Sequence, residues 1–321
     1  MSGELHVVFG AGQVGPRLAA RLLADGHRVR VVKRSPAGAP PGAELLTGDA
    51  ADPAFCGEAA RGAAVVYHCL NPDYSAAAWA KFVPLYVDNL VTAAGRAGAR
   101  LVVLDNLYMM GRPAGRPLNE DTPVNPCSRK GEIRARAAER LFAAHERGDV
   151  RASCGRASDF YGPGGAQTFF GERLWKPALA GRTARVPTAP DAVHTYHYIP
   201  DVAAGLAALG AGGEDTLGRP WMLPCAPAGT LRELVARFAT TLGRPLPVAR
   251  LPRPLLTVAG FFVPIVRELD EMSYQWDEPF VVDDARFRAR FDLQPVPPDQ
   301  AARETVDWAV KEWGGKARPA Q

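Results

Sequence analysis

Short apolar runs alternate with amphipathic segments over the first half of the chain. Leu5–Phe9 is an apolar run typical of a buried strand, whereas Val14–Ala24 carries apolar residues at a spacing of four, which predicts a helix. The same patterns predict strands at Val29–Val32, Glu44–Leu46, Ala63–Leu70 and Leu101–Leu104, and helices at Phe82–Ala97 and from Ile133 to about Glu146. Strands that alternate with helices form a parallel sheet covered on both faces. We therefore predict an α/β fold with a doubly wound parallel sheet.

The second half of the chain has a different texture. Proline and glycine punctuate it at Gly162–Gly165, Val186–Pro190 and Pro245–Pro254. Such clusters predict turns and less regular elements. We expect residues 1–157 to form the domain that holds the sheet and residues 158–321 to form a smaller C-terminal lobe. The segment at about 193–210 is expected to return to the first domain.

Composition narrows the class of protein. The 321 residues carry 38 Lys and Arg against 34 Asp and Glu, a net charge of +4 that gives no electrostatic case for binding nucleic acid. Hydrophobic residues make up 47% and charged residues 22%, which favours a globular fold over disorder. The five cysteines include no C-x-x-C pair, so we expect neither a disulfide framework nor a metal site.

Two observations bear on where the protein works. The first predicted strand begins by Leu5, which leaves no room for a signal peptide. The most apolar stretch, Pro254–Val266, contains Pro264 and is shorter than the ~20 residues that cross a bilayer, so it predicts a buried helix. With reduced thiols, these features indicate a cytoplasmic protein with no membrane partner.

A glycine-rich turn follows the first strand directly. The letters GAGQVG begin at Gly10 and lead into the first helix, the context in which G-x-G-x-x-G binds a dinucleotide. Gly10 permits the tight turn, Gly12 lets the backbone approach a pyrophosphate, and Gly15 allows the helix to pack closely on the strand. The helix N-terminus offers N–H groups to the anion. The alternative is a turn without a ligand; we favour a Rossmann-type dinucleotide site that Gln13 and Val14 complete.

The end of the second predicted strand indicates which cofactor the site takes. An NAD site places Asp or Glu there to bind the ribose 2′-hydroxyl, whereas a basic residue suits a 2′-phosphate. Lys33, Arg34 and Ser35 occupy this position, with no carboxylate nearby. Arg34 can offer a planar pair of donors to the phosphate, so NADP(H) is favoured over NAD(H). The alternative is a solvated basic turn. Asp49 is expected at the adenine edge, or else serves as a simple turn residue.

Several motifs together resemble the extended short-chain dehydrogenase/reductase superfamily, of the NAD-dependent epimerase/dehydratase type. They are the glycine turn, Gly48-Asp49, Asn89, Ser128-Arg129-Lys130, Asp159–Pro163 and Tyr198–Val202, and the resemblance covers about residues 5 to 310. It implies that the C-terminal lobe binds substrate. By analogy alone, it also implies a homodimer formed through a helix pair.

One motif departs from this resemblance. Family members use a Tyr-x-x-x-Lys pair with a Ser or Thr upstream; the Lys holds the nicotinamide ribose and lowers the Tyr pKa, and the Tyr exchanges a proton with the reacting oxygen. Lys130 matches the Lys, but Pro126 stands at the Tyr position and Asn106 near the upstream hydroxyl. The chain therefore resembles an atypical member. Our candidates are Tyr108 as proton donor, or as an aromatic wall of the pocket, and Asn106 as a polarising donor.

Three further residues are expected at the pocket. Tyr161 belongs to the Phe-Tyr-Gly-Pro run, which borders the nicotinamide and the substrate in this family. It is expected to pack against the cofactor, and the alternative is that Tyr161 and not Tyr108 replaces the missing proton donor. Asn71 follows the fourth predicted strand and is expected at the ribose or nicotinamide. His194 stands where nucleotide-sugar enzymes of the family carry an arginine that clamps a diphosphate. We expect it to be a polar group of the substrate pocket and not a metal ligand.

These observations favour one function and leave two alternatives open. We favour an NADP(H)-dependent oxidoreductase that acts on a carbonyl or secondary alcohol of a small, rather apolar molecule. The apolar substrate is indicated by aromatic residues that could instead belong to the core, namely Trp79, Phe169, Phe170, Trp175, Phe261 and Phe262. The alternatives are an epimerase or dehydratase that uses a bound cofactor transiently, and a non-catalytic NADP sensor, which Pro126 favours and Lys130 opposes.

Overall fold

A seven-stranded parallel sheet forms the centre of the computed structural model, which describes residues 3–36, 39–251 and 263–314. The strands, in chain order, are β1 Leu5–Phe9, β2 Arg28–Lys33, β3 Glu44–Thr47, β4 Val65–His68, β5 Arg100–Asp105, β6 Arg151–Arg156, β7 Phe160–Tyr161, β8 Ala184–Val186, β9 Val193–His194, β10 His197–Tyr198, β11 Pro220–Met222, β12 Gly229–Thr230 and β13 Val248–Arg250. The central sheet has the order β11-β6-β5-β4-β1-β2-β3, and all its neighbouring strands are parallel. The strand order reverses beside β1, so a crevice forms at the carboxyl ends of β1 and β4.

Helices cover both faces of this sheet, which confirms the predicted doubly wound α/β fold. In chain order they are α1 Gly15–Ala24, α2 Pro53–Ala60, α3 Ala76–Ala97, α4 Arg129–Glu146, α5 Glu172–Leu179, α6 Ile199–Ala211, α7 Leu231–Leu242, α8 Pro264–Asp270, α9 Tyr274–Asp277, α10 Ala285–Phe291 and α11 Pro298–Trp313. Helices α1 and α6 pack on one face through the buried Leu18 and Leu206. Helices α2, α3 and α4 cover the other face, where Leu90 and Leu141 are buried.

The predicted strands of the first half lie within two residues of the observed ones. Helix α3 differs more, because it begins six residues before the predicted start at Phe82. Ser75 accounts for the earlier start, since its Oγ accepts the N–H of Ala78 at 3.1 Å and caps the first turn. The helix predicted at Pro254–Val266 lies mostly outside the described residues, which resume at Val263 and enter α8.

A second apolar core lies outside the sheet, between α5, α7 and α11. Trp175, Phe238 and Val306 are buried in it. Strand β8 pairs with β13 in parallel beside α5. This lobe forms one side of the crevice at the carboxyl edge of the sheet, because α5 contributes to the wall there.

Neither a membrane-spanning helix nor a metal-binding group of side chains occurs among the described residues. No helix there combines the length and the apolarity that crossing a membrane requires. No group of three or more His, Cys, Asp or Glu side chains in that part of the chain is arranged to hold a metal ion. The five cysteines are all free thiols.

Asp201, in the first turn of α6, makes stability depend on pH. Its side chain is buried, and its two carboxylate oxygens accept the backbone N–H of Val296 at 3.0 and 3.2 Å. Burial raises the pKa of Asp201 from 3.8 to about 7, the N–H of Val296 opposes the increase, and Glu304 adds to it. The folded protein therefore holds a proton that the unfolded chain releases between about pH 4 and 7.

We expect the contribution of Asp201 to the free energy of unfolding to fall as pH rises from about 4 to 7 and to level off above that range. Asp201→Asn has no carboxyl group to titrate at this position. The free energy of unfolding of the variant minus that of the unmodified protein should therefore increase by up to ~4 kcal/mol between about pH 4 and 7, since each pKa unit is worth ~1.4 kcal/mol. Urea denaturation at several pH values measures this difference. Asp307→Asn, on the exposed side of α11, is the control and should show no such trend. A pH-independent difference for Asp201→Asn would contradict the explanation.

Candidate functional site

A cavity of about 1880 Å³ opens at the carboxyl edge of the sheet. Residues that follow β1, β2, β4, β5 and β6 form its wall, together with parts of the lobe. Pockets for small molecules measure roughly 300–1,000 Å³, so this cavity has room for an extended ligand and a smaller second one. Parallel α/β sheets bind ligands at this edge, beside the reversal of strand order, so the cavity is the candidate site.

The glycine turn forms one end of the cavity in the geometry that a bound pyrophosphate requires. Gly10 has φ +105°, and a Cβ atom there would lie 2.6 Å from the carbonyl oxygen of Cys69. A Cβ at Gly15 would collide with the carbonyl oxygen of Gly10, whereas a Cβ at Gly12 would meet nothing within 4 Å and would enter open space. Gln13 lines the cavity, and its Oε1 is buried without a hydrogen-bond partner among the described residues. The turn fits an anionic group approaching the backbone at the start of α1.

Basic residues line the neighbouring corner of the cavity, where β2 ends. Lys33, Arg34 and Ser35 all contribute to the wall, and Arg34 and Ser35 are exposed. Asp49, which follows β3, lines the same corner, and its Oδ1 accepts the N–H of Ala51 at 2.9 Å. The four residues predicted to choose and seat the adenosine half of a cofactor are therefore together.

Two asparagines line the cavity where β4 and β5 end. Arg134, from α4, donates from Nη2 to Asn71 Oδ1 at 2.7 Å, and its Nη1 lies 3.3 Å from Asp105 Oδ1. Asn106 Oδ1 accepts the backbone N–H of Tyr108 at 3.0 Å. Because protein donors occupy both amide oxygens, the NH₂ groups of Asn71 and Asn106 remain to donate to a ligand. This part of the cavity suits a ligand rich in acceptor oxygens.

An aromatic group closes the cavity beyond these asparagines. The ring of Tyr108 stacks on that of Trp79, with centroids 5.7 Å apart and planes 8° apart. The hydroxyl of Tyr108 lies 3.3 Å from that of Tyr74. Burial, with the nearby Asp159 carboxylate, raises the pKa of Tyr108 to about 12. Tyr108 therefore keeps its proton near neutral pH and can donate it.

Asp159 brings a carboxylate to the same end of the cavity. Its Oδ2 accepts the indole N–H of Trp276 at 2.6 Å and lies 3.0 Å from His194 Nε2. The Nδ1–H of His194 donates to the carbonyl oxygen of Gln275 at 3.0 Å, which fixes the orientation of the ring. The indole N–H of Trp276 therefore orients the Asp159 carboxylate, and Asp159 lines the cavity.

Lys130 lies behind the cavity wall. Its side chain is fully buried, and Nζ donates to Glu271 Oε2 at 2.8 Å and to the carbonyl oxygen of Glu268 at 3.1 Å. Lys130 is therefore not among the residues that line the cavity, where it was expected to meet a nicotinamide ribose. Glu268 and Glu271, which hold it there, follow Lys130 by 138 and 141 residues in the chain.

Tyr161 and His194 also stay out of the cavity. Successive residues of a strand face opposite sides, and Phe160 takes the side that faces the cavity. Tyr161 instead packs in the core of the lobe, against Phe170 and Tyr198. His194 is buried behind Asp159. Neither Tyr161, expected against the cofactor, nor His194, expected in the substrate pocket, is among the residues that line the cavity.

Of the aromatic residues expected to surround an apolar substrate, some line the cavity and others lie in the core of the lobe. Trp79 and Phe169 line the cavity. Phe170 and Trp175 are buried in the core of the lobe. Phe261 and Phe262 lie outside the described residues. The cavity keeps an apolar wall, to which Trp276 adds a ring perpendicular to that of Phe169, with the two centroids 4.7 Å apart.

Sequence reasoning missed several residues of this site. Arg134 stands one helical turn after Lys130, so the i, i+4 spacing could have revealed it. Asp159 begins the Phe-Tyr-Gly-Pro run and could have been found there. Tyr74 and Trp276 carry no local signal, because a loop after β4 and a short helix more than 110 residues beyond Asp159 bring them in.

A parallel sheet with a glycine turn at its reversal point and a cavity along its carboxyl edge defines a nucleotide-binding α/β protein. Within that class, the chain belongs to the NAD dependent epimerase/dehydratase family, whose model matches residues 6–216. The resemblance drawn from the motifs is thereby confirmed. No curated protein matches the chain.

Solved structures agree with this fold over nearly the whole chain. UDP-glucuronic acid 4-epimerase from Bacillus cereus in complex with NAD has a TM-score of 0.76 and 14% identity, covering 96% of this chain and 99% of that one. dTDP-glucose 4,6-dehydratase from Bacillus anthracis in complex with NAD has a TM-score of 0.78 and 15% identity, covering 97% and 98%. UDP-glucose 4-epimerase from Bifidobacterium longum in complex with NAD+ and UDP has a TM-score of 0.76 and 17% identity, covering 97% and 100%. At these identities the likeness establishes the fold.

Proposed function

We propose that the protein is an oxidoreductase that binds NADP(H) and acts on a carbonyl or secondary alcohol of a small, rather apolar molecule. One observation carries the proposal. The cavity runs continuously from the glycine turn and Arg34, past the asparagine donors, to the protonated hydroxyl of Tyr108. These are the parts that a nicotinamide dinucleotide and a carbonyl substrate need, arranged in the order of the cofactor's own groups.

The glycine turn and the corner at Arg34 would hold the adenosine half of the cofactor. Gly12 leaves space for the pyrophosphate, and Arg34 faces the cavity where a 2′-phosphate would lie. The buried Oε1 of Gln13, which lacks a partner among the described residues, is an acceptor and would take a hydrogen bond from a hydroxyl of the cofactor, not from its phosphates. When bound, NADP(H) supplies or receives the hydride. The amides of Asn71 and Asn106 would donate to acceptor oxygens at the reacting end.

Tyr108 would supply the proton in the reductive direction. Its raised pKa, about 12, keeps the hydroxyl protonated near neutral pH, so Tyr108 can donate a hydrogen bond and then a proton to the oxygen of a carbonyl that is being reduced. Its partner Tyr74 lies at 3.3 Å and can pass on a proton through its own hydroxyl. Trp79, Phe169 and Trp276 surround this point with apolar surface, which supports an apolar substrate.

Cofactor selectivity tests the proposal at Arg34. We expect NADPH to bind more tightly than NADH, and Arg34→Ala to weaken NADPH roughly tenfold or more, since a charge-assisted hydrogen bond contributes about 1.5–3 kcal/mol. NADH binding should stay nearly unchanged. Titration of the fluorescence of the reduced nucleotide measures both affinities. Arg28→Ala, at the opposite and exposed end of β2, is the matched control. Equal affinity for both nucleotides in the unmodified protein would show that Arg34 does not select the cofactor.

Turnover separates this function from its rivals. A reductase oxidises NADPH in the presence of at least one carbonyl in a panel of small ketones and aldehydes. A sensor binds NADPH and turns over none of them. An epimerase or dehydratase acts on its substrate with no net consumption of the nucleotide. Measuring NADPH absorbance together with product formation distinguishes the three outcomes.

A further inference from the structure

Residues 263–277, which we call the C-terminal strap, close the aromatic end of the cavity. The strap consists of α8, a turn and α9. Val266, Leu269, Asp270 and Trp276 contribute to the cavity wall. Trp276 also binds Asp159 and contacts Phe169, as described above. The shape of the substrate end therefore depends on where the strap lies.

Two carboxylates on the strap converge on one buried cation. Lys130 Nζ donates to Glu271 Oε2 at 2.8 Å and to the carbonyl oxygen of Glu268 at 3.1 Å, and it forms an ion pair with Glu268 Oε2. An ammonium group has three hydrogens, and these three acceptors use all of them. The Tyr74 ring lies 5.0 Å from the same nitrogen and covers it.

The same carboxylates bind the first turns of two helices. Glu268 Oε2 accepts the N–H of Ala76 at 3.0 Å, at the start of α3. Glu271 Oε1 accepts the N–H groups of Arg129 and Lys130, the second at 3.3 Å, at the start of α4. N–H groups in a first helical turn have no partner within the helix, so carboxylates are favourable there. Together with Lys130, these contacts fasten the strap to the sheet domain.

We propose that Lys130 is a positioning residue that anchors the C-terminal strap through Glu268 and Glu271, so that the strap completes the substrate end of the cavity. In this role Lys130 does not touch the cofactor. A ribose hydroxyl would have to displace two carboxylates from a fully buried ammonium group, which is unfavourable because unpaired buried charges are costly. The identity of the cofactor and substrate in the cavity rests on the proposed function. The anchoring of the strap by Lys130 does not depend on it.

Hydrogen exchange measured by mass spectrometry tests the anchor. In Lys130→Met, and separately in the double variant Glu268→Gln/Glu271→Gln, we expect exchange in peptides covering the strap to accelerate at least tenfold. The amides of Ala76 and Arg129 should lose protection as well. Combining all three substitutions should accelerate exchange no further, because the groups act as one unit. The control is Glu278→Gln, just beyond the strap, whose carboxylate forms an exposed ion pair with Arg112; it should leave exchange unchanged.

NADPH titration of the same variants distinguishes anchoring from cofactor binding. Under the proposal, both the Lys130 variant and the double glutamate variant keep their NADPH affinity within about twofold. For the carbonyl reduced fastest in the panel, both variants show a KM at least tenfold higher with a smaller change in kcat. A tenfold loss of NADPH affinity in Lys130→Met, with strap exchange unchanged, would overturn the proposal and make Lys130 a cofactor ligand. If Lys130→Met does not fold, the double glutamate variant decides by the same measurements.

The exchange result stands apart from the proposed function. If no carbonyl is turned over, the proposed reaction fails while exchange still reports whether the strap is anchored. If the strap exchanges equally in all variants, the anchor fails whatever the reaction is. The two hypotheses can therefore be rejected separately.

Discussion

Replacing Tyr108 with phenylalanine is expected to lower turnover by about 10²-fold or more and to leave NADPH affinity nearly unchanged. The physical reason is the loss of the hydroxyl that would donate the proton, since a positioned general acid contributes typically 10²–10⁴-fold. The ring remains, so its stacking on Trp79 and the shape of the cavity are kept. Steady-state kinetics with the best carbonyl of the panel measure the loss, and titration with NADPH measures the affinity.

Tyr161→Phe is the matched control for this variant. Tyr161 is another buried tyrosine whose pKa burial raises, but its ring lies in the core of the lobe and not in the cavity. We expect Tyr161→Phe to keep nearly full turnover. A fully active Tyr108→Phe together with an inactive Tyr161→Phe would reverse the two roles and contradict the site described above.

Substitutions at two glycines of the glycine turn are expected to have different effects, one on NADPH affinity and the other on stability. Gly12→Val should fold normally but lose NADPH affinity by about 100-fold or more, ~2.7 kcal/mol. Its side chain would enter the open space above Gly12, where the pyrophosphate is expected to lie. Gly15→Ala should instead lower the free energy of unfolding by about 1–3 kcal/mol, because its Cβ would collide with the carbonyl oxygen of Gly10. Urea denaturation and NADPH titration on both variants separate the two effects. Normal NADPH binding by a folded Gly12→Val would show that no ligand approaches this turn.

The parts of the site that sequence predicts are those built by neighbouring residues. The glycine turn, the basic end of β2 and the polar ends of β4 and β5 each consist of a few consecutive residues after an apolar strand. In a parallel sheet, the carboxyl ends of all strands meet at one edge, so Gly12, Arg34, Asn71 and Asn106 come together once the strands are identified. The same logic places Tyr108 at that edge.

The parts that sequence does not predict depend on contacts between distant segments. Lys130 matches a family motif, yet Glu268 and Glu271 hold its ammonium group behind the wall of the cavity. Periodicity within α4 cannot reveal these partners, because they lie on a separate helix far along the chain. Tyr161 shows a different limit, since the motif fixed the segment but only the strand pairing with β10 decides which side chain faces the cavity.

A crystal structure of the protein with NADP(H) tests the central claim most directly. We predict that the pyrophosphate lies over Gly12 at the start of α1, the 2′-phosphate contacts Arg34, and the reactive carbon of the nicotinamide lies beside Tyr108, with Lys130 still bound to Glu268 and Glu271. A nucleotide bound elsewhere, or a cavity that remains without it at saturating concentration, would contradict the account.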